Sequence, residues 1–491
     1  MLRLADRRHL LPGAAAFAAA LLAALLGLNA GADEPPPPQQ AGTVELQLLG
    51  VNDFHGHLEP PAPGIGGAAW LSAHLARASR SHPGRTITVH AGDMVGASPL
   101  VSSWFHDEPT IEATNRMGFD VGTIGNHELD EGGPELLRLL RGGRRSDGPR
   151  AFTSDPDWQG ARYPYLAANT VDADSGRPIL PPYRVVERAG VRVGFIGVTT
   201  EDTPRWLLPE HRRAYRFTDI SDAVNRRVAE LSAQGVEAIV VLAHSGAFQK
   251  GARAGGEIVD ETAEMDDAVD VVVAGHTHSP LNLTVDGKLV VESESYGAGF
   301  ERVALTVDRA SGDVVAKSAL LSPTSHDGIA PDPAIAALVA AHTARVTPLG
   351  DRVLGRLDRD LDADGLGRMA ADAQRAFAAA DVGLVNPGNT RRPGLEAGPV
   401  TYAELFAVHA YEHPLVRLRM RGRDVLAVVR RRGGMQLYAS GLEAVQPGGT
   451  YTVATNGVLA AADRFPAFDH ALGRETVGTD LEALVGWVSR G

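Results

Sequence analysis

Six short, almost purely apolar runs, at residues 44–51, 86–89, 121–124, 191–198, 238–242 and 269–273, recur along the first part of the chain, separated by polar and amphipathic stretches. Runs this short and this continuously apolar predict strands buried on both faces, with helices between them, in an α/β layered domain. Five of the runs lead directly into clusters of polar residues. These are Asp53-Phe54-His55, Gly92-Asp93, Gly125-Asn126-His127-Glu128, His244 and Gly275-His276-Thr277-His278. In such sheets ligands bind outside the carboxyl ends of the strands. The pattern therefore predicts one site assembled from five strand ends.

At 491 residues the chain is too long for a single core, so a second domain is expected. Residues 1–32 read as a signal peptide: Arg3, Arg7 and Arg8, then an Ala/Leu run at 14–28, then Ala30-Gly31-Ala32 as an exit. The adjacent Arg7-Arg8 fits the twin-arginine export machinery as well as the general route. The apolar run is barely long enough to span a bilayer, so no stable membrane anchor is expected and the location predicted is periplasmic or secreted. Residues 33–43 form a Pro-rich linker, 44–325 the layered domain, and 326–352 a linker helix. Residues 353–491 form a smaller α+β unit.

There are no cysteines, which excludes thiolate nucleophiles and Cys-based zinc sites. The net charge of −13 argues against nucleic-acid polymers as partners. Small phosphorylated molecules stay allowed, because a bound dication inverts the local field. Two dications held roughly 3.5–4 Å apart need a bridging carboxylate, with His, Asp or Asn filling the remaining positions. Asp53, His55, Asp93, Asn126, His244, His276 and His278 supply such a set. Its nitrogen content suits Mn, Zn or Co rather than calcium. If Asp53 and His55 lie on a strand, alternation points both to one face, and the same holds for His276 and His278.

The five blocks, in this order, resemble the signature of the calcineurin-like metallophosphoesterases. The longer segments 49–58, 125–130 and 165–169 are similar to the exported 5'-nucleotidase / UDP-sugar hydrolase / 2',3'-cyclic-nucleotide 2'-phosphodiesterase group. That resemblance implies a four-layer α/β/β/α sandwich with a second, smaller α+β domain joined by a linker helix. It implies that Asp53, His55 and His278 bind one metal, that Asn126, His244 and His276 bind the other, and that Asp93 bridges them. His127, held by Asp130, would stabilise the transferring phosphoryl group or protonate the leaving alkoxide while a metal-activated hydroxide attacks phosphorus in line. Glu128 reads as structural, and His57 and His90 as supporting or incidental.

The family's second domain binds the nucleoside with an N-x-G-G-I-R loop and two aromatic rings. Here Asn386-Pro387-Gly388-Asn389-Thr390-Arg391 keeps Asn386 and Arg391 but loses the second glycine. Tyr411 and Phe465 stand where the rings belong, and Asp469 is a candidate acceptor from a base or sugar hydroxyl. The expected substrate is a small nucleotide or related phosphate ester. A cyclic nucleotide, a UDP-sugar or a sulfur-containing ester on the same centre, or an exported binding protein without turnover, are the alternatives.

Overall fold

The computed structural model describes residues 42–490 except 149, 252, 390–393, 410–411, 431–435 and 462–464. The signal segment, nearly all of the Pro-rich linker, Arg391 and Tyr411 lie outside the described residues.

Two six-stranded sheets form the first lobe. One runs, edge to edge, through Val314–Pro323, Gly299–Asp308, Thr43–Val51, Thr86–His90, Val121–Thr123 and Tyr165–Leu166. The other runs through Leu281–Val285, Lys288–Glu292, Val271–Val273, Ala238–His244, Val191–Thr199 and Tyr183–Arg188. Strand pairing explains why the sequence shows runs instead of alternation. Along Thr43–Val51, Leu46 and Leu48 face the opposite sheet, whereas Leu49 and Val51 face helices Ala68–Ser81 and Glu108–Met117. Along Ala238–His244, Val240 and Leu242 face the first sheet, whereas Ile239, Val241 and Ala243 face helices Ile220–Ser232 and Glu257–Glu264. Both faces of both sheets are thus buried, giving the expected α/β/β/α order of layers. Each such Val, Leu or Ile contributes about 1.5–3 kcal/mol by leaving water.

The linker helix runs from Pro333 to Gly350. Asp332 caps it by accepting from the N–H groups of Ala334 (2.9 Å) and Ile335 (3.2 Å), and a proline at the first helical position fits the same start. Its buried residues Ile335, Leu338 and Val346 pack it on the first lobe, and it also meets helix Tyr402–Val408 of the second. That second lobe is a five-stranded sheet in the order Tyr438–Ser440, Val382–Val385, Thr450–Asn456, Pro414–Arg421, Gly473–Thr479. Helices Ala363–Phe377, Gly422–Arg430 and Asp480–Val488 accompany it. No described helix is long and apolar enough to cross a membrane.

Candidate metal centre

Strands Thr43–Val51, Thr86–His90 and Val121–Thr123 are mutually parallel, as are Ala238–His244 and Val271–Val273. Their carboxyl ends carry the predicted residues: Asp53 and His55, Asp93, Asn126 and His127, His244, and His276 with His278. The site bridges the two sheets, since His244 from one lies 3.1 Å from Asp93 of the other.

Strand alternation is not what aligns the side chains. Asp53 and His55 lie beyond the strand end, and they and Asp93, His276 and His278 adopt φ values of 48°, 46°, 47°, 80° and 51°. Left-handed backbone costs a non-glycine residue about 1–3 kcal/mol and persists where the surroundings over-determine it. Here the N–H groups of Asp53 and His55 donate to the carbonyls of Gly92 (3.1 Å) and Asp93 (2.9 Å). The Asp53 carboxylate accepts from the His276 N–H at 2.9 Å and the Asn52 amide at 2.8 Å. Gly92, at φ 86°, lets two loops meet: a Cβ there would stand 2.6 Å from the Gly125 nitrogen.

Two cradles result. In the first, His278 Nε2 lies 3.3 Å from Asp53 Oδ1 and 3.2 Å from His55 Nε2. In the second, His244 Nε2 lies 3.1 Å from both Asp93 Oδ2 and Asn126 Oδ1, and His276 closes the group. The same Asp93 oxygen lies 3.6 Å from His55 Nε2. Atoms each about 2.0–2.2 Å from one metal are separated by about 3.0–3.5 Å, so most of these distances have the size of coordination-polyhedron edges. The Nδ1–H groups of His55 and His244 donate to the carbonyls of Gly96 and Ala91, both at 2.9 Å, leaving Nε2 lone pairs aimed into the cradles.

Charge agrees. Burial pushes His55 down to about 3 and, with the neighbouring His244 charge, His276 to about 4, so both are neutral as ligands must be. Burial opposes ionisation of Asp53, but the His278 hydrogen bond and nearby imidazolium charge outweigh it and bring it to about 2. Burial also opposes charge on His244, yet the Asp93 carboxylate raises it to about 9. The residues present fit a pair of divalent ions.

His127 Nδ1–H donates to Asp130 Oδ2 at 2.7 Å, and its backbone N–H donates to Asp93 Oδ1 at 2.9 Å. Both side chains are partly open to solvent. Glu128 turns the other way. Its carboxylate accepts from the N–H groups of Asp93 (3.0 Å), Met94 (2.9 Å) and Gly125 (2.6 Å), lashing together two ligand-bearing loops. Glu128→Ala strands three buried donors and is expected to lower unfolding free energy by about 3–5 kcal/mol in urea titration. A loss under about 1 kcal/mol contradicts the bracing role. His90 accepts from the Gly92 N–H at Nδ1 (3.3 Å), a supporting part. Tyr296 escaped sequence reasoning: it stands at φ 60°, donates its N–H to the Asp53 carbonyl at 2.8 Å, and faces His57, His55 and His278 at ring distances of 4.4, 5.8 and 5.1 Å. A lone tyrosine in Ser295-Tyr296-Gly297 carries no pattern to flag it.

The predicted second-domain set does not converge in the same way. Asn386 accepts from the Asn456 amide at 2.9 Å, joining two neighbouring strand ends. Asp469 is exposed in the short turn Pro466–His470. Phe465, the expected stacking ring, is only 5% exposed and packs with Phe468, Val416, Leu418 and Leu459 in the lobe's core. Phe465→Ala is expected to destabilise the chain by about 3–5 kcal/mol in thermal or denaturant unfolding. A change in KM with no loss of stability would restore the stacking role. Glu412, beside the predicted ring, does reach the site: it pairs with Arg150 at 2.7 Å and lines one cavity with His127 and Asp130.

Two further groupings with ligand-like composition are already satisfied. Arg145 occupies the space among His106, Glu131 and Glu135. Asp219 and Glu261 accept N–H groups at the start of helix Ile220–Ser232, with Glu201 beside them.

Residues 46–280 match the family model of the calcineurin-like phosphoesterases, and residues 339–444 that of the 5'-nucleotidase C-terminal domain. Endonuclease YhcR of Bacillus subtilis (strain 168) is 33% identical over 91% of this chain, which spans only 40% of that relative. A 5'-nucleotidase of Vibrio vulnificus (strain CMCP6) is 25% identical, with 83% of this chain and 79% of the relative covered. The crystal structure of a 5'-nucleotidase precursor from Thermus thermophilus superposes with a TM-score of 0.73 at 23% identity, covering 91% of this chain and 96% of that one. The chain belongs to the metallophosphoesterase family in which a calcineurin-like phosphoesterase domain is joined to a 5'-nucleotidase C-terminal domain.

Proposed function

We propose that this protein is an exported phosphohydrolase that removes phosphate from nucleotides with two divalent ions, Mn, Zn or Co. Asp53, His55 and His278 would hold one ion, Asn126, His244 and His276 the other, and Asp93 both. The observation that carries this reading is one carboxylate oxygen shared by two imidazole cradles, with the His127–Asp130 pair on the solvent side. Bound dications supply Lewis-acid activation of water and neutralise charge on the phosphoryl oxygens. The chain's own groups do the rest. The Asp130 hydrogen bond fixes the His127 tautomer and ring orientation, and His127 then delivers a proton to the departing ester oxygen. The leader would carry the protein to the periplasm or outside the cell.

A second reading, a phosphodiester substrate, is favoured by the buried Phe465 and the likeness to YhcR. The test is hydrolysis by metal-loaded protein, read as free phosphate from 5'- and 3'-mononucleotides, as nucleoside monophosphate from 2',3'-cyclic nucleotides and UDP-glucose, and as p-nitrophenolate from bis-p-nitrophenyl phosphate. Preference for 5'-mononucleotides, abolished by chelator, supports the first reading. Turnover confined to the diesters supports the second.

A further inference from the structure

The whole-chain charge of −13 conceals a reversal: residues 417–432 hold seven arginines against one aspartate, a net of +6. Arg417, Arg419 and Arg421 lie on strand Pro414–Arg421 and Arg423 and Arg430 on the helix that follows it, Gly422–Arg430, whereas Arg431 and Arg432 lie outside the described residues. Arg417 shows how the fold settles a structural arginine: it pairs with Glu475 at 2.7 Å and donates to the Ala378 carbonyl at 3.0 Å. Arg419 and Arg421 are treated otherwise. Both are exposed, and neither has an ion-pair partner among the described residues. Their cross-strand neighbours are Thr452 and Thr450, with Gly473 on the other side of Arg419, none of which offers a counter-charge. Sheets ordinarily place opposite charges across such pairs. Arg421 and Arg423 line a hollow with Asp424, His470 and Leu472; Asp424 lies 4.0 Å from Arg423 and 3.5 Å from His470, leaving Arg421 unpaired among the described residues, and Leu472, 45% exposed, adds an apolar contact beside the cations.

The strand has a direction that matters. It begins two residues after Glu412, which shares a cavity with His127 and Asp130. At about 3.3 Å per residue, Arg419 and Arg421 stand about 17 and 23 Å along the strand from Pro414. A span of that order exceeds one nucleotide and matches a chain of several.

We infer that this arginine surface binds the phosphodiester backbone of a single-stranded nucleic acid whose terminal or scissile phosphate occupies the metal centre, so that the substrate class extends to oligonucleotides. This rests on the phosphohydrolase reading above. The neutral hydroxyl neighbours and the exposed leucine suit a backbone with unstacked sugars and bases.

The experiment titrates the metal-loaded protein into a fluorescent phosphorothioate DNA strand of about twelve nucleotides, a length within the range of single-strand sites. Anisotropy is read over a series of salt concentrations. R419Q/R421Q/R423Q is compared with R80Q/R184Q/R309Q, which removes the same charge from exposed positions elsewhere. The first variant is expected to bind at least tenfold more weakly and to lose about 2 from the log–log salt slope, roughly 0.7 for each phosphate contact. The control variant should match the native protein. Equal losses in both variants, or equal competition by poly(glycerol phosphate) of the same charge, would overturn the inference. Strand binding lost in the first variant alone, with no phosphoester hydrolysed by any form, sinks the phosphohydrolase reading and leaves this surface standing. Mononucleotide turnover without strand binding does the reverse.

Discussion

Asp93→Asn is expected to cut turnover by about a thousandfold or more and to leave fewer than two metal ions per chain. The reason is geometric before it is electrostatic. Asp93 Oδ2 lies within 3.6 Å of an imidazole nitrogen from each cradle, and no other carboxylate among the described residues does so. An asparagine oxygen can serve one ion weakly, but a neutral amide cannot hold two dications against their mutual repulsion. Losing one ion removes several kcal/mol of charge stabilisation, and about 4 kcal/mol corresponds to three decades of rate. The Glu128 brace on the backbone N–H groups of residues 93 and 94 does not involve the substituted side chain, so the loops keep their shape. Elemental analysis and steady-state kinetics on the same preparation check this. Two bound ions with unchanged turnover would remove Asp93 from the bridging role.

His127→Ala is expected to keep both ions and lose about 10²- to 10⁴-fold in turnover of nucleotides, the usual contribution of a positioned proton donor. The size of the loss should depend on the leaving group. A nucleoside alkoxide needs a proton as it departs, whereas p-nitrophenolate leaves readily without one. The variant should therefore be impaired by about tenfold or less on bis-p-nitrophenyl phosphate. An equal loss on both substrates would shift the role of His127 from proton donor to stabilisation of the phosphoryl oxygens, where the leaving group makes little difference. Asp130→Asn should follow His127→Ala in direction at smaller size, because it disturbs the 2.7 Å bond that orients the ring without removing the ring.

The layered core was legible because burial on both faces leaves a continuous apolar signature, as at 44–51 and 238–242. The clustered residues were legible as a set because His, Asp and Asn at five strand ends have few other reasons to recur together. What could not be read was how the backbone aims them. Strand alternation suggested a shared face for Asp53 and His55, whereas left-handed turns, held by hydrogen bonds from loops distant in sequence, do the aiming. Tyr296 was hidden for a related reason, since its value comes from a packing relation to His57 and His278 that no local pattern encodes. In the second lobe the ring at 465 carries no mark of whether it faces ligand or core. The structure packs that ring among the residues of the lobe's core. The arginines of 417–432 were visible as residues, but which of them lack partners depends on cross-strand register.

The central claim is that two ions in the shared cradles are what makes this chain a phosphohydrolase. Protein stripped with chelator and titrated with Mn²⁺ tests it most directly, with phosphate release from a preferred nucleotide measured against equivalents added. Activity should be absent in the stripped protein, stay low through the first equivalent and rise to its plateau with the second. Full activity without metal, or a plateau reached at one equivalent, would contradict the account.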